Sequence, residues 1–91
     1  MKTSFSDKSQ WGILEYLFRI YPRTMTDAEV RKEFGNPHNK GLVSNLRQLI
    51  SEGSIEKTAI VKIMGRDVVS APGLRITRDG TRLVRKALHD N

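Results

Sequence analysis

The chain has 91 residues, of which 37% are hydrophobic and 29% charged, and this composition predicts one soluble globular domain and excludes a disordered segment. It contains no cysteine, which excludes disulfide and thiolate chemistry and favours a reducing, cytoplasmic location. The formal net charge of +6 favours a polyanionic partner such as nucleic acid, although a protein that is basic without such a partner is the alternative.

The first predicted helix spans residues 8–21 and follows a loose leader at residues 1–6. Asp7 and Gln10 have the spacing of a capping box at its start, and Pro22 follows its end. Its apolar sector is wider than packing against one core requires, so either another helix of the chain or a second subunit must cover it. On the second alternative, the homodimer interface would include Trp11, Ile13, Tyr16 and Ile20.

A second helix is predicted over residues 27–34. Thr26 and Glu29 have the spacing of a capping box, in which the hydroxyl accepts a hydrogen bond from a free backbone N–H and the glutamate reaches back to the cap residue. Gly35 follows, and glycine commonly ends a helix in the left-handed conformation. Together with the helix after it, this segment predicts a helix-turn-helix.

The third helix, predicted over residues 37–52, is apolar on one face only. Pro37 tolerates the first turn of a helix, while Asn39 is a competing N-cap. The residues with the spacing of a buried face are Leu42, Leu46, Leu49 and Ile50. The opposite face carries groups that can hydrogen-bond base edges or phosphates, namely Lys40, Ser44, Arg47, Gln48 and Ser51.

Residues 55–76 change to an alternating pattern rich in β-branched side chains, which predicts a β-hairpin. The segment Gly65–Asp67 has the composition of a turn. Lys62 and Arg66 supply cations at the predicted tip.

A last helix, capped by Thr77, is predicted over residues 78–89. Its predicted apolar face is Leu83, Val84, Ala87 and Leu88, and its opposite face is the basic stripe Arg78, Arg82, Arg85 and Lys86. The stripe either contacts phosphates or an acidic partner, or is a solvated face with cations favourably placed near a helix C-terminus. We favour the solvated face.

The order of these elements resembles that of the bacterial and phage winged helix-turn-helix regulators. The residues that carry the resemblance are the run Leu42–Leu49, the segment Gly53–Ile55 after it, and the junction Ile76–Gly80 between the last strand and the last helix. The resemblance covers about residues 10–88 and implies an α+β fold with a three-helix core, a β-hairpin wing and a C-terminal helix. It also implies that the first and last helices pair across a dimer axis.

The resemblance implies that the third helix is the recognition helix and that the hairpin is a wing along a neighbouring minor groove or phosphate. The candidate DNA-binding residues are Asn39, Lys40, Ser44, Arg47, Gln48, Lys62 and Arg66. By their chemistry, Arg47 suits guanine, Gln48 or Asn39 suits adenine, and Lys40 near the helix N-terminus suits a phosphate. Asp67 departs from a purely basic wing tip.

These features predict a small transcriptional regulator that binds double-stranded DNA as a homodimer. The alternative is a winged-helix protein–protein interaction module whose basic surface meets an acidic partner. Binding of RNA or single strands is disfavoured, because no aromatic pair lies on a predicted sheet. We expect no enzyme activity, metal, cofactor or membrane partner, since no nucleophile–base pair is evident and His38 and His89 have no cysteine to complete a zinc site.

Overall fold

The computed structural model describes the backbone of residues 5–89 and the side chains of residues 10–89. In this part of the chain, four α-helices and one two-stranded antiparallel hairpin form an α+β fold. The helices are α1 (Phe5–Ile20), α2 (Asp27–Glu33), α3 (Lys40–Ser51) and α4 (Arg78–His89), and the strands are β1 (Ile60–Ile63) and β2 (Arg66–Val69). A short 3₁₀ helix, Lys57–Ala59, precedes β1. Within the described residues, none of the helices has the length and apolar character needed to cross a membrane.

Helix α1 begins before the predicted start and ends one residue earlier than predicted. Residues 5 and 6, assigned to a loose leader, are helical, and residues 1–4 of that leader lie outside the described part. Asp7 therefore lies within the helix and is not its N-cap. Tyr21, the last residue of the predicted helix, is largely exposed after the helix end, although its N–H still donates to the Leu17 carbonyl at 3.0 Å.

The N-terminus of α2 is capped as predicted. The Glu29 N–H donates to Thr26 Oγ1 at 3.1 Å, and the Thr26 N–H donates to Glu29 Oε1 at 3.2 Å, which completes the capping box. Gly35 follows the helix with φ of +106°, the left-handed region that glycine enters without a steric penalty. Local chemistry was sufficient to predict this element.

Helix α3 begins at Lys40, three residues after the predicted start. Asn39 is its N-cap, because Asn39 Oδ1 accepts a hydrogen bond from the Leu42 N–H at 3.0 Å. Pro37 lies instead in the turn, where it is buried and its carbonyl accepts a hydrogen bond from the Val69 N–H at 3.2 Å. Of the two competing start signals in the sequence, the side-chain cap prevails.

The core joins the inner faces of all four helices to the segment around the hairpin. Its most completely buried side chains are Leu14, Leu46, Leu49, Ile55, Leu74, Val30 and Val84. Burial of each contributes about 1.5–3 kcal/mol relative to exposure. The predicted buried face of α3 is confirmed for Leu42, Leu46 and Leu49, while Ile50 is half-buried and Val43, which was not predicted, is also buried.

The hairpin is shorter than predicted and turns one residue earlier. Ile60 pairs with Val69 and Ile63 with Arg66, so the two-residue turn is Met64–Gly65, with φ of +51° and +78°. Two positive φ values match the twist that two-residue hairpins require. Arg66 and Asp67 therefore belong to β2, and of the turn predicted over Gly65–Asp67 only Gly65 lies in the observed turn.

Helix α4 is anchored by Thr77, its predicted cap. Thr77 Oγ1 accepts a hydrogen bond from the Gly80 N–H at 2.9 Å and donates to the Gly53 carbonyl at 2.6 Å. Val84 is fully buried, but Leu83 is 45% and Leu88 49% exposed. The predicted apolar face of α4 is therefore only partly covered by the chain.

Candidate nucleic-acid interface

The polar face of α3 is open to solvent while its apolar face is buried. All five predicted residues of this face are exposed, namely Lys40, Ser44, Arg47, Gln48 and Ser51, and Gly41 is exposed as well. Leu46 and Leu49 lie on the other side at 0% and 1% exposure. The helical spacing of the leucines therefore holds the hydrogen-bonding side chains outward, where all are exposed and Arg47 contacts the hairpin.

The hairpin lies beside this face and forms a groove with it. The lining residues are His38, Lys40, Val43, Ser44, Arg47, Arg66 and Asp67. Val43 is the apolar member of this set and is mostly buried. The structure thus brings the α3 candidates Lys40, Ser44 and Arg47 together with Arg66 of β2, although the latter is distant from them in sequence.

A second groove lies on the other side of the Arg47 side chain. It is lined by Arg47, Ile50, Ser51, Lys57, Ile60, Val61, Lys62 and Asp67. Lys57, which was not among the predicted DNA-binding residues, is exposed there. We call the exposed cations of the two grooves the α3–hairpin cations; they are Lys40, Arg47, Lys57, Lys62 and Arg66.

Asp67 links α3 to the hairpin between the two grooves. Its carboxylate forms an ion pair with the Arg47 guanidinium, and its Oδ1 lies 3.6 Å from Lys62 Nζ. Lys62 is also its partner residue across the strands. The acidic residue that departs from a basic wing tip therefore orients Arg47 and lowers the net charge of this surface.

Like Arg47, the two predicted adenine-contacting residues, Asn39 and Gln48, have partners within the chain. Asn39 Oδ1 caps α3, so a bidentate contact to adenine, which uses both the oxygen and the nitrogen of an amide, would cost the cap. Gln48 Nε2 donates to Glu52 Oε2 at 3.0 Å at an exposed position. That bond exchanges readily with water, so Gln48 fits a base contact better than Asn39 does.

The four residues assigned to a dimer interface are largely covered by their own chain. Ile13 is only 4% exposed within the core, so it has no surface to offer a partner and is corrected to a core residue. Tyr16 packs edge-on against Phe34 with ring centroids 5.6 Å apart. Trp11 and Ile20 are half-buried against the core. Most of the wide apolar sector of α1 is thus covered by other elements of the same chain. This is the first of the two predicted alternatives, cover by the chain itself as opposed to cover by a second subunit.

Tyr16 also belongs to a polar cluster that attaches α2 to α1. Its hydroxyl donates to Glu29 Oε2 at 2.5 Å, and Arg23 donates to both carboxylate oxygens at 3.0 Å. The hydrogen bonds from Arg23, Tyr16 and the Thr26 backbone lower the pKa of Glu29 to about 2. The hydrogen bond to Glu29 raises the pKa of Tyr16. This network attaches α2 to α1 without using any of the α3–hairpin cations.

The basic stripe of α4 is exposed, which is compatible with both alternatives for it, a solvated face or a contact with phosphates or an acidic partner. Arg82 lies 3.8 Å from Asp79 one turn earlier, and both side chains are mostly in solvent. Arg78 and Arg85 share a separate groove with Tyr21 and Glu56. Within residues 10–89, no group of three His, Cys, Asp or Glu side chains is placed to hold a metal ion.

Comparison with known proteins gives no significant match to a protein-family model, a curated protein or a solved structure. Only the geometry and the charge of the molecule therefore bear on its function.

Proposed function

We propose that this chain is a winged helix-turn-helix protein that binds double-stranded DNA and regulates transcription, with α3 in the major groove. The observation that supports it most is the division of α3 into a buried apolar face and an open face of hydrogen-bonding side chains. An α-helix with its side chains is about 10–12 Å across, and a major groove about 12 Å wide admits it.

The charge of the same surface favours a duplex. The α3–hairpin cations lie in the two grooves on either side of the Arg47–Asp67 ion pair, where they can contact the phosphates that flank a base edge bound by Arg47 or Gln48. Phosphate contacts fix the position of a protein on DNA, whereas base contacts provide specificity. A surface with cations around a central arginine and glutamine supplies both kinds of contact.

A protein-interaction module is the second candidate function, and exposed apolar side chains on α4 favour it. Leu83 and Leu88 lie close to half exposed beside the basic stripe. A homodimer that pairs α1 with α4 would cover them, as would an acidic protein partner. Light scattering distinguishes a homodimer from a complex with another protein. A dimer mass would indicate that a second copy covers these leucines, and a monomer mass would favour a different protein partner.

The test of DNA binding is fluorescence anisotropy of a labelled random-sequence duplex at low salt. We expect binding by the wild-type chain, and weaker binding by the double variant Lys40→Ala/Arg47→Ala. The double variant Arg82→Ala/Arg85→Ala removes the same charge from α4 and should bind like wild type. Absence of wild-type binding even at low salt would overturn the proposal in favour of the interaction module.

Single substitutions on α3 should separate specificity from general affinity. On a duplex selected from a random pool, Arg47→Ala is expected to weaken binding about 5- to 150-fold and to relax the sequence preference, because a bidentate arginine contact discriminates by about 1–3 kcal/mol. Lys40→Ala should instead weaken binding to all sequences by a similar factor. Equal losses on selected and random duplexes for both variants would contradict a base-contacting role for α3.

Asp67→Asn should raise the affinity for random duplex, whereas Arg47→Ala should lower it. It removes a negative charge between two grooves and frees Arg47 and Lys62, so we expect several-fold tighter binding to random sequence and a smaller preference for the selected site. Asp79→Asn on α4 makes the same charge change away from α3 and serves as the control. Weaker binding of Asp67→Asn to random duplex, with an unchanged melting curve, would contradict this role.

A further inference from the structure

The hairpin tip combines backbone strain with apolar exposure in one residue. Met64 has φ of +51° and is 97% exposed. The left-handed conformation suits glycine, asparagine and aspartate at this turn position, because their side chains avoid or offset the steric cost. Methionine gains no burial here that would offset it. Neither the turn geometry nor packing therefore explains why methionine occupies this position. A strained residue without such an explanation suggests a functional role.

The residues around Met64 extend the same feature. Ile63 is 53% exposed and Val61 38% exposed, so the tip and one edge of β1 carry adjoining apolar side chains in solvent. Isolated exposed apolar residues are ordinary, whereas adjoining ones mark contact surfaces. Lys62 and Arg66 stand on either side of Ile63 and Met64 along the hairpin and are both exposed. The hairpin therefore has an apolar tip, Ile63 and Met64, with a cation on each strand beside it.

The hairpin tip projects past the point where the hairpin contacts α3. Asp67 forms the ion pair with Arg47 of α3, and the turn lies beyond it by one further residue pair, Ile63 and Arg66, so the tip lies roughly 7 Å past this contact at about 3.3 Å per residue. With α3 in a major groove, a tip that projects past this contact faces the flanking duplex. Cations beside the tip match phosphates along a minor groove, and methionine and isoleucine are among the side chains that insert between base steps there.

On this basis, and resting on the proposed DNA binding, we propose that Ile63 and Met64 form an apolar wedge. It enters the minor groove beside the α3 site, unstacks one base step and bends the duplex. Lys62 and Arg66 hold the flanking phosphates. The chain would then shape DNA as well as bind it.

The test is energy transfer between dyes at the two ends of a short duplex, measured with wild type and Met64→Asn at saturating protein. Asparagine tolerates positive φ, so the variant should melt at or above the wild-type temperature, and its polar side chain cannot act as a wedge. We expect wild type to raise transfer by bending the duplex. Met64→Asn should bind within about ten-fold of wild type but leave transfer at the value of free DNA. Met64→Leu, which keeps the apolar bulk, should retain the bend.

The other outcomes have distinct meanings. If wild type binds no duplex at low salt, the proposed function fails and the wedge fails with it. If wild type binds without a change in transfer, or Met64→Asn bends DNA equally, DNA binding stands and the wedge alone is overturned. Loss of self-association or of adsorption to vesicles of anionic phospholipid in Met64→Asn, with bending unchanged, would assign the tip to a second copy or to a lipid surface and also overturn it.

Discussion

Replacement of Gly80 by alanine is expected to destabilise the fold by about 3 kcal/mol, although alanine ordinarily stabilises a helix interior by about 1 kcal/mol relative to glycine. A Cβ at Gly80 would lie 2.1 Å from the Ser54 carbonyl oxygen and 2.8 Å from Ile76 Cγ1. The first contact is with backbone and cannot be relieved by a rotamer change. Helix α4 would have to move away from Ser54, whose carbonyl also accepts the 3.0 Å hydrogen bond from the Thr77 N–H.

Gly12→Ala is the matched control for Gly80→Ala. Gly12 also lies in a helix, α1, but a Cβ there would meet nothing within 4 Å. The same chemical change should therefore stabilise the chain by about 0.8–1 kcal/mol. Thermal melts and urea titrations of both variants, followed by circular dichroism, should move in opposite directions, since 1 kcal/mol shifts the melting temperature of such a domain by roughly 4–8 °C.

The outcome of this pair tests how α4 is attached. A stabilisation of similar size in both variants would show that α4 does not rest on the Ser54 backbone. A destabilisation in both would indicate that alanine is unfavourable in α1 for a reason absent from the described contacts. Because Gly80 lines neither groove that holds the α3–hairpin cations, any loss of DNA binding in Gly80→Ala should follow the unfolded fraction.

The caps and the faces of the helices could be predicted from sequence because they depend on neighbours three or four residues apart. The Thr26–Glu29 capping box and the Thr77 cap are such features, and both are confirmed. Where two local signals competed, as with Pro37 and Asn39 at the start of α3, sequence reasoning placed the helix start too early. The turn was misplaced because Met64 is an uncommon residue at positive φ.

Contacts between distant segments were beyond prediction from local patterns. Arg47 and Asp67 lie on different elements, and only the folded chain brings their side chains together. The same holds for Lys57, which the chain brings beside Arg47 across a groove. Ile13 was misassigned because a helical wheel gives the direction of a side chain but not which element covers it.

The second large effect is a steep response of DNA affinity to salt. The α3–hairpin cations number five. On random duplex, which offers Arg47 no fixed base to contact, we expect all five to contact phosphates, and five such contacts imply a slope of log K against log salt near −4.5, since each releases about 0.9 counterion. Between 50 and 200 mM salt, affinity for random duplex should then fall about 500-fold. The measurement is an anisotropy titration at four or more salt concentrations.

The slopes measured for variants show which side chains contact phosphates. Lys40→Ala should reduce the magnitude of the slope by about 0.9, because one phosphate contact is lost. Arg85→Ala should leave it unchanged if the α4 stripe is a solvated face; a reduction would place α4 on the DNA as well. A flat response in the wild type would contradict a phosphate-contacting surface altogether.

Asp67→Asn is expected to change the slope in the opposite direction. The Asp67 carboxylate competes with phosphates for Arg47 and Lys62, so its removal should make the slope steeper, while Asp79→Asn should leave it unchanged.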